Sequence, residues 1–147
     1  MKSPRRRARE FALQGLYQWQ MTGNAVPDIE SHLASVAGFD KADHELFRLL
    51  LSGALKEADT LQAVLAPHLD RPYAELSPVE RGVLLMAAYE FRHCPATPYR
   101  VVLNEAIELA KSYGASEGHK FVNGVLDKLA AQLRPEEWRR KGARGEG

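Results

Sequence analysis

The stretch SPVERGVLLMAAYEFR, residues 77–92, joins a helix start to an almost uninterrupted apolar run. Ser77 suits an N-cap, Pro78 suits the first helical position, and Glu80 completes a capping box. We therefore expect a helix from about Pro78 to Arg92. A helix that is apolar on most of its surface is either central to a bundle or has one face that awaits a partner. The residues that would form a partner face are Glu80, Gly82, Leu85, Met86 and Tyr89.

Helical spacing continues on both sides of this stretch, with apolar residues every three or four positions and no convincing alternation of period two. The chain is therefore predicted to be all-α. Ser3 and Pro4 should start a first helix, whose apolar residues include Trp19. Four further helices are expected, from about Asp28 to Gly38, from about Asp40 to Ala66, from Pro98 after a Thr97 cap to Tyr113, and from a Ser116 cap to about Leu133. Gly124 in the last of these is expected to permit close helix packing.

Proline placement divides the chain into parts. Pro67 and Pro72 lie in residues 67–76, which we predict to be a joint between residues 1–66 and residues 77–134. Residues 135–147 are rich in Gly and Arg and offer little to pack except Trp138, so we expect a mobile basic tail. With 147 residues, the whole is most consistent with one domain.

Arginines crowd the start of the first helix. Arg5, Arg6, Arg7 and Arg9 lie near its N-terminus, where the helix dipole disfavours positive charge. An anionic partner would compensate, and a frayed, solvated terminus is the alternative. Residues 1–9 carry five Lys or Arg and no acid, whereas residues 10–133 carry about six more acids than bases. The charge pattern therefore predicts local contact with a polyanion.

Signatures of catalysis are weak in this sequence. The five histidines are spread over different predicted helices without metal-ligand spacing, and Glu105 and Glu108 lack an accompanying base or cofactor motif. The single cysteine, Cys94, excludes an intrachain disulfide and a multi-cysteine zinc site. No apolar run approaches the length of a membrane span. We expect a cytoplasmic binding protein without metal, cofactor or catalytic residues.

Four segments stand out by their mixed chemistry: RRRARE (5–10) with Ala12, Leu13, Leu16, Tyr17 and Gln18; LSPVER (76–81); NEAIELAK (104–111); and KFVNGVLDKL (120–129). Together they resemble the NusB family of bacterial transcription antitermination factors. The resemblance covers roughly residues 3–133. It implies an all-helical fold of two three-helix subdomains and an RNA-binding adaptor that is not an enzyme.

Partners also follow from the resemblance. Family members pair with NusE, a small-subunit ribosomal protein, and the pair binds the boxA element of nascent RNA in ribosomal RNA operons. With NusA and NusG on RNA polymerase, this complex suppresses termination. The chain is thus expected to bind single-stranded boxA RNA together with NusE.

Site residues carry over by position from the same resemblance. The arginine-rich RNA-binding motif corresponds to Lys2, Arg5, Arg6, Arg7 and Arg9. Tyr17 and Phe121 offer rings on which an unpaired base could stack, although either ring could be core. Lys120 and Asn123 lie near a helix N-terminus, where a phosphate and a base edge could be bound. Glu80 is a candidate contact for NusE or a base amine.

The sequence leaves open which residues form the partner face and which kind of protein this is. Many members of the family that the chain resembles have a basic residue in the middle of the fourth helix, where this chain has Leu85 and Met86, which would alter the partner face. The chain could be a protein-binding module or a homodimer that covers its arginines. A NusB-like domain also precedes the catalytic domain of ribosomal RNA cytosine methyltransferases, but this chain lacks the cofactor loop and cysteine nucleophile of such an enzyme.

Overall fold

The computed structural model describes residues 2–145, and the side chains of residues 2–140. Within this part there are eight α-helices and no strand, so the all-α prediction is confirmed. The helices are α1 (Pro4–Thr22), α2 (Val26–Ala34), α3 (His44–Lys56), α4 (Ala58–Leu65), α5 (Pro78–His93), α6 (Tyr99–Tyr113), α7 (Gly118–Leu133) and α8 (Pro135–Gly145). Short 3₁₀ turns occupy Phe39–Lys41, Ala66–His68 and Tyr73–Glu75.

The chain forms two compact units, Met1–Ala58 and Asp59–Gly147. In the first unit α1 packs against α2 and α3. An aromatic cluster stabilises this unit, because the ring of Phe39 lies 5.1 Å from Phe11 and 5.0 Å from Phe47, both in edge-to-face geometry. His44 stacks on the same Phe39 ring at 4.7 Å. The turn before α3 is thereby fixed to α1 and α3.

The second unit is organised around α5, which packs against α6 and α7. Its start is the predicted capping box: Ser77 Oγ accepts from the Glu80 amide at 3.1 Å, and Glu80 Oε1 accepts from the Ser77 amide at 3.4 Å. Every residue from Gly82 to Phe91 is buried. The helix was predicted either to be central or to have one face that awaits a partner, and the structure shows that it is central.

The predicted long helix from Asp40 to Ala66 is wrong. The chain leaves helical geometry at Glu57, where φ is −108° and ψ is 19°, and this break separates α3 from α4. The boundary between the compact units falls at the same place, between Ala58 and Asp59. Apolar spacing could not reveal it, because the buried residues Leu50, Leu51, Ala54, Ala58 and Leu61 continue through the break.

Residues 67–76, predicted to be a joint, lie inside the second unit. The Tyr73 hydroxyl donates to the Arg81 carbonyl at 3.1 Å, and Arg81 Nη1 donates to the Ala74 carbonyl at 3.3 Å. Leu76 is buried. Burial of the Tyr73 hydroxyl raises the pKa of Tyr73 to about 12, although the charge of Arg81 acts in the opposite direction. The segment is therefore held against the start of α5.

Two predicted helix caps are also wrong. Neither Thr97 nor Ser116 caps a helix, since α6 begins at Tyr99 after Pro98 and α7 begins at Gly118 after Glu117. The amide of Tyr99 instead donates to Glu137 Oε2 at 2.9 Å. A carboxylate that is distant in sequence thus occupies the positive end of α6.

Arg134 lies buried at the C-terminal end of α5, with 8% of its surface exposed. Its Nε donates to the Phe91 carbonyl at 2.8 Å. The two terminal nitrogens donate to the carbonyls of Thr97, Glu90 and Cys94 and to Glu137 Oε1. All five N–H groups of the guanidinium therefore have an acceptor. A cation at a helix C-terminus is also favoured by the helix dipole.

Within the part that the structure describes, the tail that was predicted to be mobile forms the helix α8 (Pro135–Gly145). Trp138 Nε1 donates to Asp127 Oδ1 of α7 at 3.2 Å, which fixes α8 to the second unit. Burial alone would raise the pKa of Glu137, but the Tyr99 amide and the Arg134 guanidinium outweigh it, so the pKa lies below its usual range. Residues 146 and 147 lie outside the described residues.

Arg134→Met should destabilise the protein by about 3 kcal/mol or more, because it leaves buried carbonyls and Glu137 without their cationic partner. Urea unfolding followed by circular dichroism measures this change. Arg139→Met is the matched control, since Arg139 pairs with Glu136 on the surface at 3.1 Å and the two side chains are 66% and 76% exposed. The control should change stability by less than about 0.5 kcal/mol. Equal effects of the two changes would contradict the role assigned to Arg134.

Glu137→Gln keeps an acceptor for the Tyr99 amide but removes the charge. Because the pKa of Glu137 is lowered in the folded protein, the ionised carboxylate stabilises the fold above its unfolded-state pKa, and that contribution is lost as the pH falls through the folded-state pKa. The variant should thus be less stable at neutral pH and approach the unmodified protein under acid conditions. Thermal unfolding from pH 7 down to pH 3 tests this, and a stability gap independent of pH would refute it.

Substitution by alanine should have opposite effects on stability at Gly15 and at Gly124. A β-carbon at Gly15 would lie 2.9 Å from Leu51 Cδ1 and 3.4 Å from Ile29 Cγ2, in the core of the first unit. At Gly124 no described atom lies within 4 Å of that position apart from those of its chain neighbours and of the adjoining backbone of its own helix. Gly15→Ala should therefore cost about 1 kcal/mol net, and Gly124→Ala should gain about 0.5–1 kcal/mol from helix propensity. The midpoints of urea unfolding compare the two variants, and a loss of stability in Gly124→Ala would contradict the open surroundings of Gly124. The same open surroundings show that the predicted role of Gly124 in close helix packing is wrong.

Candidate nucleic-acid interface

The N-terminus of α1 begins as predicted, since Ser3 Oγ accepts from the Arg6 amide at 3.1 Å and Pro4 is the first helical residue. Its first turn contains no acidic residue. Local capping thus fixes a helix start whose side chains are largely arginine. The helix dipole adds positive potential to this end.

The arginines differ in exposure. Arg5 is exposed, Arg6 and Arg7 are half-buried, and Arg9 is only 3% exposed. Arg9 therefore does not belong to the surface, which corrects its inclusion among the predicted RNA contacts. The adjacent Ala8 is buried too, at 0% exposure.

Carboxylates of the first unit lie beside the same cations. Lys2 Nζ lies 3.0 Å from Glu10 Oε2, and Arg5 Nη1 lies 3.7 Å from Asp43 Oδ2. Asp43 also caps α3, because its Oδ1 accepts from the Leu46 amide at 3.0 Å, while its own amide donates to the Pro4 carbonyl. The starts of α1 and α3 are thus held together next to the arginines.

Tyr17 lies on the surface further along α1, with 44% of its area exposed. Trp19 and Met21 are exposed as well, at 40% and 57%. Trp19 was counted among the apolar residues with helical spacing, and its exposure shows that the buried face of α1 does not include it. Tyr17 keeps the exposed ring that base stacking requires.

The predicted contacts of the second unit lie together near the start of α7. Lys120 and Asn123 are exposed, whereas Phe121 is half-buried. Lys120 Nζ lies 2.8 Å from Glu117 Oε1, and both side chains are 71% exposed. A surface ion pair of this kind contributes little stability and is readily replaced by another anion.

Glu80 connects two helix starts of the second unit. One carboxylate oxygen completes the capping box of α5. The other lies 3.0 Å from the position that a β-carbon on Gly118 would occupy, at the first residue of α7. The positive end of α7 therefore already has carboxylates, Glu80 and Glu117, beside it. A phosphate at this helix end would have to compete with them.

The predicted partner face on α5 is not on the surface. Gly82, Leu85, Met86 and Tyr89 are all buried, the last three with 4%, 2% and 6% exposure. They belong to the core of the protein because α5 is central. Glu80 is half-buried and is the remaining member of the set within reach of solvent.

Sequence reasoning missed Arg71. Its guanidinium carbon lies 5.3 Å from the centre of the Phe121 ring, and its side chain is 48% exposed. Its position in the segment 67–76, which was predicted to be a joint, carried no pattern that links it to α7. Only the folded chain brings the two residues together.

Neither a metal-ligand cluster nor a membrane-spanning helix occurs among the described residues. Among the described side chains no three His, Cys, Asp or Glu are grouped so that they could hold a metal ion. Within residues 2–145 no helix combines the length and the apolar character needed to cross a bilayer. The described surface instead offers arginines and Tyr17 in one unit, and Lys120, Asn123 and Arg71 in the other.

These features define an all-α protein with a basic helix terminus and exposed polar and aromatic side chains suited to an anionic polymer. Residues 6–131 match the sequence model of the NusB family. The chain belongs to the NusB family.

Relatives support this assignment over nearly the whole length. The transcription antitermination protein NusB of Aromatoleum aromaticum is 62% identical over 136 residues, which cover 92% of this chain and 94% of the relative. That of Ralstonia nicotianae is 60% identical and covers 92% and 88%.

Solved structures share the fold. A structure of T. maritima NusB has a TM-score of 0.81 at 29% identity, with 95% of this chain and 99% of the other covered. A complex of NusB and NusE with double-stranded RNA has a TM-score of 0.77 at 24% identity and covers 88% and 97%, a likeness of fold.

Proposed function

We propose that this protein is a transcription antitermination factor that binds the boxA RNA of ribosomal RNA operons as a heterodimer with NusE. In this proposal the pair assembles with NusA and NusG on RNA polymerase in the cytoplasm, and the protein acts by binding and not by catalysis. The relatives of highest identity cited above are transcription antitermination proteins. The NusB of the solved complex is bound to NusE and to RNA.

The observation that carries the proposal is the start of α1. Lys2, Arg5, Arg6 and Arg7 follow one another on and before its first turn, and Arg5 remains 49% exposed despite its ion pair with Asp43. Clustered guanidinium groups bind phosphates whatever the base sequence, and they raise the rate of encounter. This surface therefore supplies attraction to the RNA backbone.

Sequence preference requires contacts with bases. Tyr17 in the first unit is an exposed ring, and Asn123 in the second unit is an exposed amide that can read a base edge. Single-stranded RNA presents unstacked bases to such groups, whereas a duplex hides them. We infer that these side chains provide part of the selectivity for boxA, and that NusE adds further surface.

The test is fluorescence anisotropy of a labelled boxA-like single-stranded RNA at several salt concentrations, with and without NusE. A double variant, Arg5→Ala with Arg7→Ala, should weaken binding and reduce the log–log salt slope by about 1.4, at 0.7 for each lost phosphate contact. NusE should raise the affinity for boxA more than the affinity for a scrambled RNA.

The matched control removes the same charge elsewhere. Arg48 and Arg139 are exposed arginines outside the start of α1, so Arg48→Ala with Arg139→Ala should leave the slope within error. Binding that ignores base sequence and both double variants would instead favour a protein-binding or homodimeric module. Size-exclusion chromatography at the same concentrations would then show whether a second copy covers the arginines.

A further inference from the structure

The ring of Phe121 is not open on the side that Arg71 covers. The guanidinium carbon of Arg71 lies 5.3 Å from the ring centre, within the range of a cation–π contact. Phe121 itself is half-buried in the second unit. A base approaching this face of Phe121 would therefore meet Arg71 before it met the ring.

Asp70 fixes how the guanidinium is presented. Arg71 Nε donates to Asp70 Oδ1 at 2.9 Å, and Arg71 Nη2 donates to Asp70 Oδ2 at 3.4 Å. Two parallel hydrogen bonds between a guanidinium and a carboxylate define the plane of both groups. The Arg71 side chain is 48% exposed, so the pair favours one orientation of the guanidinium while its surface remains accessible.

Charges around the pair keep both groups ionised. The hydrogen bond to Asp70, followed by the charges of Asp70, Glu80 and Glu75, raises the pKa of Arg71. The hydrogen bond from Arg71 lowers the pKa of Asp70, and the charge of Lys128 lowers it further. Because carboxylates surround Arg71, its net field is weak, which makes it a poor choice for attracting phosphate from a distance.

We propose that Arg71 is a base-stacking residue of the RNA-binding surface, with an unpaired base lying on its guanidinium and Phe121 beneath it. This inference rests on the proposed RNA-binding function and assigns one of its base contacts to a residue outside the arginine-rich start of α1. Guanidinium planes accept unstacked bases of single-stranded RNA much as aromatic rings do. Asp70 is then a positioning residue, because it sets the plane on which the base lies.

The experiment measures binding of the full chain with NusE present, using boxA-like RNA in which each nucleotide in turn is abasic. Arg71→Ala should weaken binding by about 5- to 150-fold, the range for one base stack. Arg71→Lys keeps the charge but lacks the plane, so it should be nearly as weak as Arg71→Ala with an unchanged salt slope. For the nucleotide that stacks on Arg71, combining the abasic RNA with Arg71→Ala should weaken binding no more than either change does alone, because both remove the same contact.

Two controls separate stacking from charge. Arg100→Ala removes an exposed arginine of the same unit on α6 and should leave binding unchanged. Asp70→Asn removes a negative charge beside Arg71. If Arg71 acts only through its charge, this variant should bind RNA more tightly. If Asp70 orients the guanidinium for stacking, the variant should bind RNA more weakly. Arg71 and Asp70 are exposed, and circular dichroism should show that both variants fold normally.

Distinct outcomes overturn the inference. If Arg71→Lys binds like the unmodified protein, or if the effects of Arg71→Ala and the abasic change add at every nucleotide, Arg71 acts only as a charge and the RNA-binding function survives. If the unmodified protein with NusE does not prefer boxA-like RNA at all, the proposed function fails together with this inference.

Discussion

The buried guanidinium of Arg134 is the interaction on which the second unit depends. It joins the last carbonyls of α5 to the segment before α6, and through Glu137 it reaches the first amide of α6. A helix end buried without partners would leave carbonyls without hydrogen bonds at a large cost. One side chain meets this need for the carbonyls of Glu90, Phe91 and Cys94, so the apolar α5 can be central to the second unit although the exposed residues Arg92 and His93 lie at its end.

Local rules predicted those parts of the fold that local chemistry controls. Ser3, Pro4 and the capping box of Ser77 and Glu80 were all identified from sequence. Pro4 is the first helical residue, and the other three side chains make the expected hydrogen bonds. The same rules failed where a distant residue acts. Glu137 occupies the start of α6 in place of the expected Thr97 cap, and no spacing in the chain connects residue 137 with residue 99.

The candidate site shows the same division. Charge clustering located Arg5, Arg6 and Arg7, but it also included Arg9, because an apolar pattern does not show that an arginine beside Ala8 is buried. The partner face predicted on α5 failed because an apolar helix reads alike whether it is central or waiting for a partner. Arg71 escaped notice because its contact with Phe121 joins a loop to α7. Long-range pairing is information that one sequence does not display.

The position of Arg134 and Glu137 in the chain also bears on the order in which the protein is made. During translation the first unit, up to Ala58, leaves the ribosome complete and has its own aromatic cluster. The second unit is different, because α5 and α6 emerge before the residues that close their ends. Until residues 134–137 are synthesised, the apolar α5 lacks its C-terminal partner. The second unit is therefore expected to fold late and as a whole, during or after the synthesis of α8.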